Sequence, residues 1–97
     1  MAMYVILANF TDKGIHDVKD TINRGDKFKA MAANAGVTVK HMYWTIGRYD
    51  AVTICEAPDD ETATALSLSV AARGSVRTQT LRAFSLEEMT RILGKMV

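Results

Sequence analysis

The chain has 97 residues, of which 48% are hydrophobic and 24% charged, as is ordinary for a folded globular domain. Twelve basic against eleven acidic residues leave a net charge of +1, which excludes a general positive field that recruits nucleic acid or an anionic membrane. The single cysteine, Cys55, excludes an internal disulfide framework and is interpreted as a small buried hydrophobe, while two histidines exclude a histidine-rich metal site. We therefore predict one cytoplasmic domain over residues 1–97, without a signal peptide, a membrane span, a metal site or a cofactor.

The first third of the chain predicts a strand followed by a helix. Residues 3–10 form a short, nearly unbroken apolar run, which is typical of a strand covered on both faces. Residues 15–22 are ambiguous. A helix is predicted from about Arg24 to Ala35, with Asn23 as its N-cap and Gly36 as its terminating glycine.

A hairpin follows, in which residues 37–46 and 49–57 flank Gly47 and Arg48. A two-residue loop with glycine first suits a type II′ turn, which places Tyr43 opposite Val52 and His41 opposite Ile54. One face then carries Val39, His41, Tyr43, Thr45, Asp50, Val52, Ile54 and Glu56, and the other carries Lys40, Met42, Trp44, Ile46, Tyr49, Ala51, Thr53 and Cys55. Neither face is simply polar, so we expect both to be covered.

The second half of the chain predicts two helices with a strand between them. Residues 58–61 load the start of a helix with acidic groups, and residues 62–72 then carry no charge. Residues 75–84 are the fourth strand. Ser85 and Glu88 form a capping box that begins a last helix. An apolar stripe runs along this helix, made of Leu86, Met89, Leu93 and Met96.

The order β-α-β-β-α-β, followed by a C-terminal helix, predicts an α+β protein with a ferredoxin-like sandwich. Two helices would cover one face of a four-stranded antiparallel sheet. The other face would be bare, and a bare apolar face needs a partner, for which a second identical subunit is our prediction. We thus expect a homodimer or a higher homo-oligomer.

Gly47-Arg48-Tyr49-Asp50 resembles the signature of the GYD-domain family, small bacterial and archaeal proteins. The resemblance extends to Tyr4 and residues 10–15 in the first strand and its exit, to residues 49–52 and 56–60, and to residues 74–78 with Ala83 and Phe84 in the fourth strand. It spans nearly the whole chain. The resemblance implies a dimeric α+β barrel, in which two such sheets face each other, and it implies little about chemistry because the family is largely uncharacterised.

The candidate ligand-binding residues are His41, Tyr43, Tyr49 and Asp50. Histidine is the residue type best suited to act as a base at neutral pH, and His41 shares its strand face with the Tyr43 phenol, which makes it the one candidate for a catalytic base. Tyr49 and Asp50 also have a structural interpretation, since aspartate commonly binds backbone amides in turns.

A pocket could lie on either face of the sheet, roofed by this chain's helices or by a partner subunit. We expect the helices to roof the His41 face with Phe28, Met31, Leu66 and Val70, which would make an apolar pocket with polar groups at its edge. The partner subunit would then meet the face of Ala51 and Thr53. A pocket roofed by the partner's sheet would instead lie on the side of Trp44, Tyr49 and Thr53.

Two functions from different classes fit these observations. The first is an oligomeric module for small-molecule binding or for assembly, whose partners are copies of itself and a small ligand. The alternative is a cofactor-independent oxygenase or isomerase that acts on a small organic substrate, an analogy that rests on the fold alone. We favour the binding module. Neither nucleic acid nor a membrane is predicted as a partner.

Overall fold

The structure, a computed structural model, describes residues 1–97. Its elements are β1 (Ala2–Phe10), α1 (Asp12–His16), a short 3-10 helix (Val18–Asp20), α2 (Thr21–Asn34), β2 (Thr38–Trp44), β3 (Ala51–Ala57), α3 (Asp60–Ala72), β4 (Val76–Ala83) and α4 (Leu86–Gly94). The strands form one antiparallel sheet in the order β2-β3-β1-β4. This is the predicted ferredoxin-like α+β architecture.

The core lies between one face of the sheet and the helices α2 and α3. Strand residues alternate between faces, so Tyr4 and Ile6 of β1 point into the core while Val5 points away. The buried apolar residues are Tyr4, Ile6, Ala32, Val37, Cys55, Ala57, Ala63 and Leu66. Burial also raises the pKa of the Cys55 thiol, which fits its predicted role as a small core hydrophobe.

The helices cover the face opposite to the one we predicted. Phe28, Met31 and Val70 pack against the core on the side of Thr53, and Leu66 is itself part of that core. The predicted roof over His41 is therefore wrong, and so is the prediction that Thr53 meets a partner subunit, since its side chain is buried under the helices. Both faces of the two hairpin strands carry apolar residues, so the sequence pattern alone does not show which face the helices cover.

The connection between β2 and β3 is longer than the predicted two-residue turn. β2 ends at Trp44 and β3 begins at Ala51. Residues 45–50 form the loop, which is closed by a hydrogen bond from the Thr45 amide to the Asp50 carbonyl at 2.9 Å. Its glycine, Gly47, has a φ of +115°, as the predicted turn required.

Gly47→Val should therefore lower the free energy of unfolding by about 1–3 kcal/mol, because a β-branched residue is strained at this φ. Nothing lies within 4 Å of a Cβ built at Gly47, so crowding does not contribute to the loss. Urea denaturation measures the effect. Gly94→Val is the control, since Gly94 has equally open space and no positive φ. Equal losses in the two variants would contradict the backbone explanation.

Next to the loop, β2 and β3 pair in the predicted register. Farther from the loop the register shifts. Tyr43 lies opposite Val52 and His41 opposite Ile54, as expected. A bulge between Val39 and His41 then changes the phase of the strand. Val39 consequently pairs with Cys55 and packs against the core, and does not share the face of His41 as predicted.

Helix ends follow local chemistry. α2 begins at Thr21, earlier than predicted, with Asp20 and not Asn23 at the N-cap position. Asp59 caps α3 by accepting a hydrogen bond from the Thr62 amide at 2.8 Å, and Ser85 and Glu88 form the predicted capping box of α4. No helix of the chain has the length and apolar character that crossing a bilayer requires.

Candidate functional site

The sheet face that the helices leave bare is apolar at its centre. Val5 and Leu7 of β1 lie beside Ile54 and Val52 of β3, and Leu81 of β4 is next to Val5. We call these five residues the open face. Leu81 is 42% exposed and the other four are half-buried in the single chain. Polar residues flank them, namely Thr38, Glu56, Arg77 and Gln79. An apolar centre with a polar border is the usual composition of a protein interface.

His41 and Tyr43 lie at the border of the open face, on the edge strand β2. Their rings stack with centroids 6.0 Å apart and an angle of 9° between planes. The Tyr43 hydroxyl is 3.4 Å from His41 Nδ1, so one hydrogen bond can link the phenol and the imidazole. Both side chains are exposed. The structure therefore brings two of the four candidate residues together.

Asp50 is engaged with the backbone of β1. Its Oδ2 accepts a hydrogen bond from the Phe10 amide at 2.8 Å, and its own amide donates to the Ala8 carbonyl at 2.9 Å. Asn9 Nδ2 adds a third tie by donating to the Arg48 carbonyl at 2.7 Å. The loop 45–50 is thereby fastened to the end of β1. These contacts give Asp50 the structural role named in the alternative interpretation, and its ligand role stays a prediction.

Tyr49 crosses the sheet away from the His41 pair. Its hydroxyl donates to Gln79 Oε1 of β4 at 3.0 Å, and the Arg48 guanidinium carbon lies 5.8 Å from the centre of its ring. Gln79 pairs with Leu7 and so borders the open face. Tyr49 is thus on the side of the open face, whereas the predicted hairpin placed it with Trp44. The four candidate residues do not converge on one point.

The helix α4 stands nearly free of the rest of the chain and makes few contacts with the other elements. Arg82 attaches its first turn, because its guanidinium donates to Glu88 Oε2 at 3.1 Å and lies over the rings of Tyr4 and Phe84 at 5.7 and 4.6 Å. The apolar stripe is nevertheless uncovered: Leu86 is 83%, Met89 44%, Leu93 54% and Met96 73% exposed. The sequence predicted the stripe but not that it would lack a partner within the chain.

The attachment of α4 should depend on pH. The Ser85 amide, together with the Arg82 guanidinium, lowers the pKa of Glu88 from 4.5 to about 2. Because the pKa is lower in the folded state, this carboxylate supports α4 fully above about pH 4.5, and its support is lost as the pH falls towards 2. We expect the NMR Cα shifts of residues 86–94 to lose helical character in that window.

Glu88→Gln should remove this pH dependence, since the amide does not titrate. Glu87→Gln is the matched control, because Glu87 makes no hydrogen bond to the cap. A Glu88→Gln protein whose α4 shifts followed pH as in the parent would contradict the assignment to Glu88.

A cavity of about 340 Å³ lies on the opposite side, between α2 and the covered face of the sheet. Phe28, Met31 and Val70 line it together with Met42 and Trp44. Three of the predicted roof residues thus do line a pocket, but on the Trp44 side of the sheet. One feature of the sequence could have indicated this cavity but was not used in the prediction. It is Gly25, a glycine inside the helical pattern, which lines the cavity.

Comparison with known proteins agrees with this architecture. A relative from Thermus thermophilus, named glutamine synthetase and cystathionine beta-lyase binding protein, is 32% identical over 90 residues, which is 92% of this chain and 95% of the relative. A homoserine dehydrogenase from Thiobacillus denitrificans matches 88% of this chain with a TM-score of 0.56 and 13% identity. This chain spans only 18% of that enzyme, so the likeness shows the fold alone. The model of the GYD domain matches residues 4–93, from β1 into α4. The chain therefore belongs to the GYD-domain family, as its resemblance to the signature implied.

Proposed function

We propose that this chain is a homodimeric protein-binding module, which docks on metabolic enzymes through α4 while a second copy covers its open face. The observation that carries the proposal is that the chain leaves two separate apolar surfaces uncovered, the open face and the stripe of α4. The Thermus relative supports it, because its name assigns it binding to glutamine synthetase and cystathionine beta-lyase.

The geometry of α4 suits docking on another protein. Leu86, Met89 and Leu93 recur at the spacing that lines one side of a helix, and Met96 extends the same stripe. An amphipathic helix of this kind binds by laying its apolar side into a groove of the partner. Because α4 is attached only at its first turn, the stripe can enter such a groove without disturbing the core.

The open face suits a second copy of this chain. Two-fold symmetry would bring its apolar centre against the same centre of the partner, and homodimer interfaces are more apolar than other interfaces. The family resemblance implies two sheets packed face to face. Sheets packed in this way lie about 10 Å apart. His41 and Tyr43 would then lie at the border of the dimer, where their predicted role in ligand binding is open to test.

The catalytic alternative has less support from the geometry. His41 would need a group that orients it as a base, and the nearest carboxylate in the prediction, Asp50, is bonded to the Phe10 amide. The observed neighbour of His41 is the Tyr43 phenol. We therefore do not advance an oxygenase or isomerase activity.

Biolayer interferometry with the full chain immobilised tests the docking role. We expect saturable, micromolar or tighter binding of glutamine synthetase or of cystathionine β-lyase. Leu93→Glu should weaken it by about tenfold or more, because the variant puts an unpaired charge into an apolar contact. Leu68→Glu is the control, a leucine that is 65% exposed on α3.

The same variants separate docking from self-association. Light scattering should give the parent mass for both Leu93→Glu and Leu68→Glu. If neither enzyme binds the parent, or if Leu93→Glu binds as well as the parent, the docking role is wrong. A fall in mass for Leu93→Glu would assign α4 to the self-interface instead.

A further inference from the structure

The cavity under α2 exists because small residues line it at three positions. Ala8 and Ala51 are direct neighbours on β1 and β3 and contribute to its floor. Gly25 contributes to its roof, and a Cβ placed there would lie 3.4 Å from Met42 Sδ and 3.5 Å from the Trp44 ring. Larger side chains at these positions would occupy the space. A volume of about 340 Å³ is within the range of small-molecule sites.

The wall of the cavity is apolar and held in position. Trp44 Nε1 donates to Thr21 Oγ1 at 3.0 Å, which fixes the indole along the wall. Phe28, Met31 and Met42 complete the apolar lining next to it. An apolar part of a ligand would therefore meet a preformed surface.

The charges around the cavity are mostly of one sign. Four cationic residues line it, Lys13, Arg24, Lys27 and Arg73, against one acidic residue, Asp20. None of the four is in a salt bridge, since the chain's two salt bridges are Lys40–Glu56 and Arg82–Glu88. This one site thus carries an excess of positive charge in a chain whose net charge is only +1.

The four cationic side chains differ in whether they make hydrogen bonds within the chain. The Lys13 ammonium donates to the Arg73 carbonyl at 3.0 Å, and the Arg24 guanidinium donates to the Asp17 carbonyl at 2.8 Å. Lys27 and the Arg73 guanidinium, by contrast, make no hydrogen bond within the chain and are exposed. Both also line the cavity, so their donors are available to an anion bound there.

We propose that this cavity binds a small organic carboxylate, with its apolar part against Trp44 and its carboxylate at Lys27 and Arg73. The pairing follows from charge complementarity at the rim and from the apolar wall behind it. The site lies on the side of the sheet away from the open face. It does not depend on the docking role of α4.

Titration with octanoate, followed by the fluorescence of Trp44, tests this proposal, because Trp44 is the only tryptophan of the chain and lines the cavity. We expect saturable binding, and weaker binding of octan-1-ol, which has the same apolar body without the charge. The double variant Lys27→Gln/Arg73→Gln should bind octanoate about tenfold or more weakly. Lys29→Gln, an exposed lysine on the same helix that does not line the cavity, should bind as the parent does.

Three results would overturn the proposal. They are the absence of saturable octanoate binding, equal affinity for octanoate and octan-1-ol, and parent-like octanoate affinity in the double variant. Circular dichroism of the double variant shows whether its fold is intact, and Gly25→Leu supplies a second arm by filling the cavity. If both altered proteins are folded and both bind octanoate as the parent does, the ligand lies elsewhere and the assignment is wrong.

Discussion

Gly14→Ala is expected to lower the free energy of unfolding by about 3 kcal/mol or more, the upper end of the range for overpacking. An alanine Cβ at this buried position would lie 1.9 Å from the Ser75 carbonyl oxygen and 3.0 Å from the Ser75 carbonyl carbon. A backbone group has no rotamer by which to withdraw. Either α1 or the segment before β4 would have to move.

That movement would break the contacts that join the two segments. The Thr11 amide donates to the Ser75 carbonyl at 3.1 Å, and the Thr11 hydroxyl donates to the Gly74 carbonyl at 2.5 Å. Thr11 Oγ1 also caps α1 by accepting from the Gly14 amide at 3.1 Å. The loss therefore includes hydrogen bonds as well as steric repulsion, which is why the expected effect is large.

Gly25→Ala is the matched control, because its Cβ would make only ordinary contacts, at 3.4 Å or more. Alanine in the interior of α2 should stabilise the protein by up to about 1 kcal/mol relative to glycine. Urea denaturation of both variants gives the comparison. A Gly14→Ala protein as stable as the parent would show that α1 does not lie against Ser75 as described.

Ile54→Glu should convert the protein into a folded monomer of 10.7 kDa, with no loss of secondary structure. The residue lies at the centre of the open face, where a second copy would bury the new carboxylate without a partner. In the monomer the same carboxylate is near water. Light scattering and circular dichroism, both at micromolar concentration, measure the two parts of this expectation.

Thr53→Glu is the companion variant, since it places the same charge one residue earlier on β3. Its side chain points under the helices and is only 8% exposed, so the protein should unfold and not merely dissociate. A parent protein that is already monomeric would contradict the dimer. Unfolding of Ile54→Glu together with a folded Thr53→Glu would reverse the assignment of the two faces.

Features that are decided by neighbouring residues could be predicted from the sequence. The capping box depends on Ser85 and Glu88 alone, and Gly36 and Gly74 have the positive φ values that ending a helix at a glycine requires. The order of strands and helices then left few topologies, and the one predicted from it is the one observed. Most of the fold could therefore be predicted from local chemistry and chain connectivity.

The assignment of faces could not be predicted, because it depends on packing between distant segments. Thr53 and Ile54 are both β-branched residues that suit a strand. Only the packing of α2 and α3 against the sheet decides which of the two is buried. The bulge after Val39 has no marker such as glycine or proline. The cavity under α2 likewise depends on three small residues that are far apart in the sequence. No sequence motif indicates that they come together in the fold.

The bulge in β2 also bears on how the protein avoids aggregation. β2 is an edge of the sheet, and an edge strand offers unpaired amides and carbonyls to any similar strand. The bulge between Val39 and His41 interrupts that row of groups, and the charged Lys40 lies in the interrupted stretch. An endless ribbon of molecules needs both edges of every sheet, so disabling one edge is sufficient to prevent it. A bulge and a charge on this edge disfavour the growth of such a ribbon, while stacking of two sheets through their faces, which ends at two molecules, would remain available.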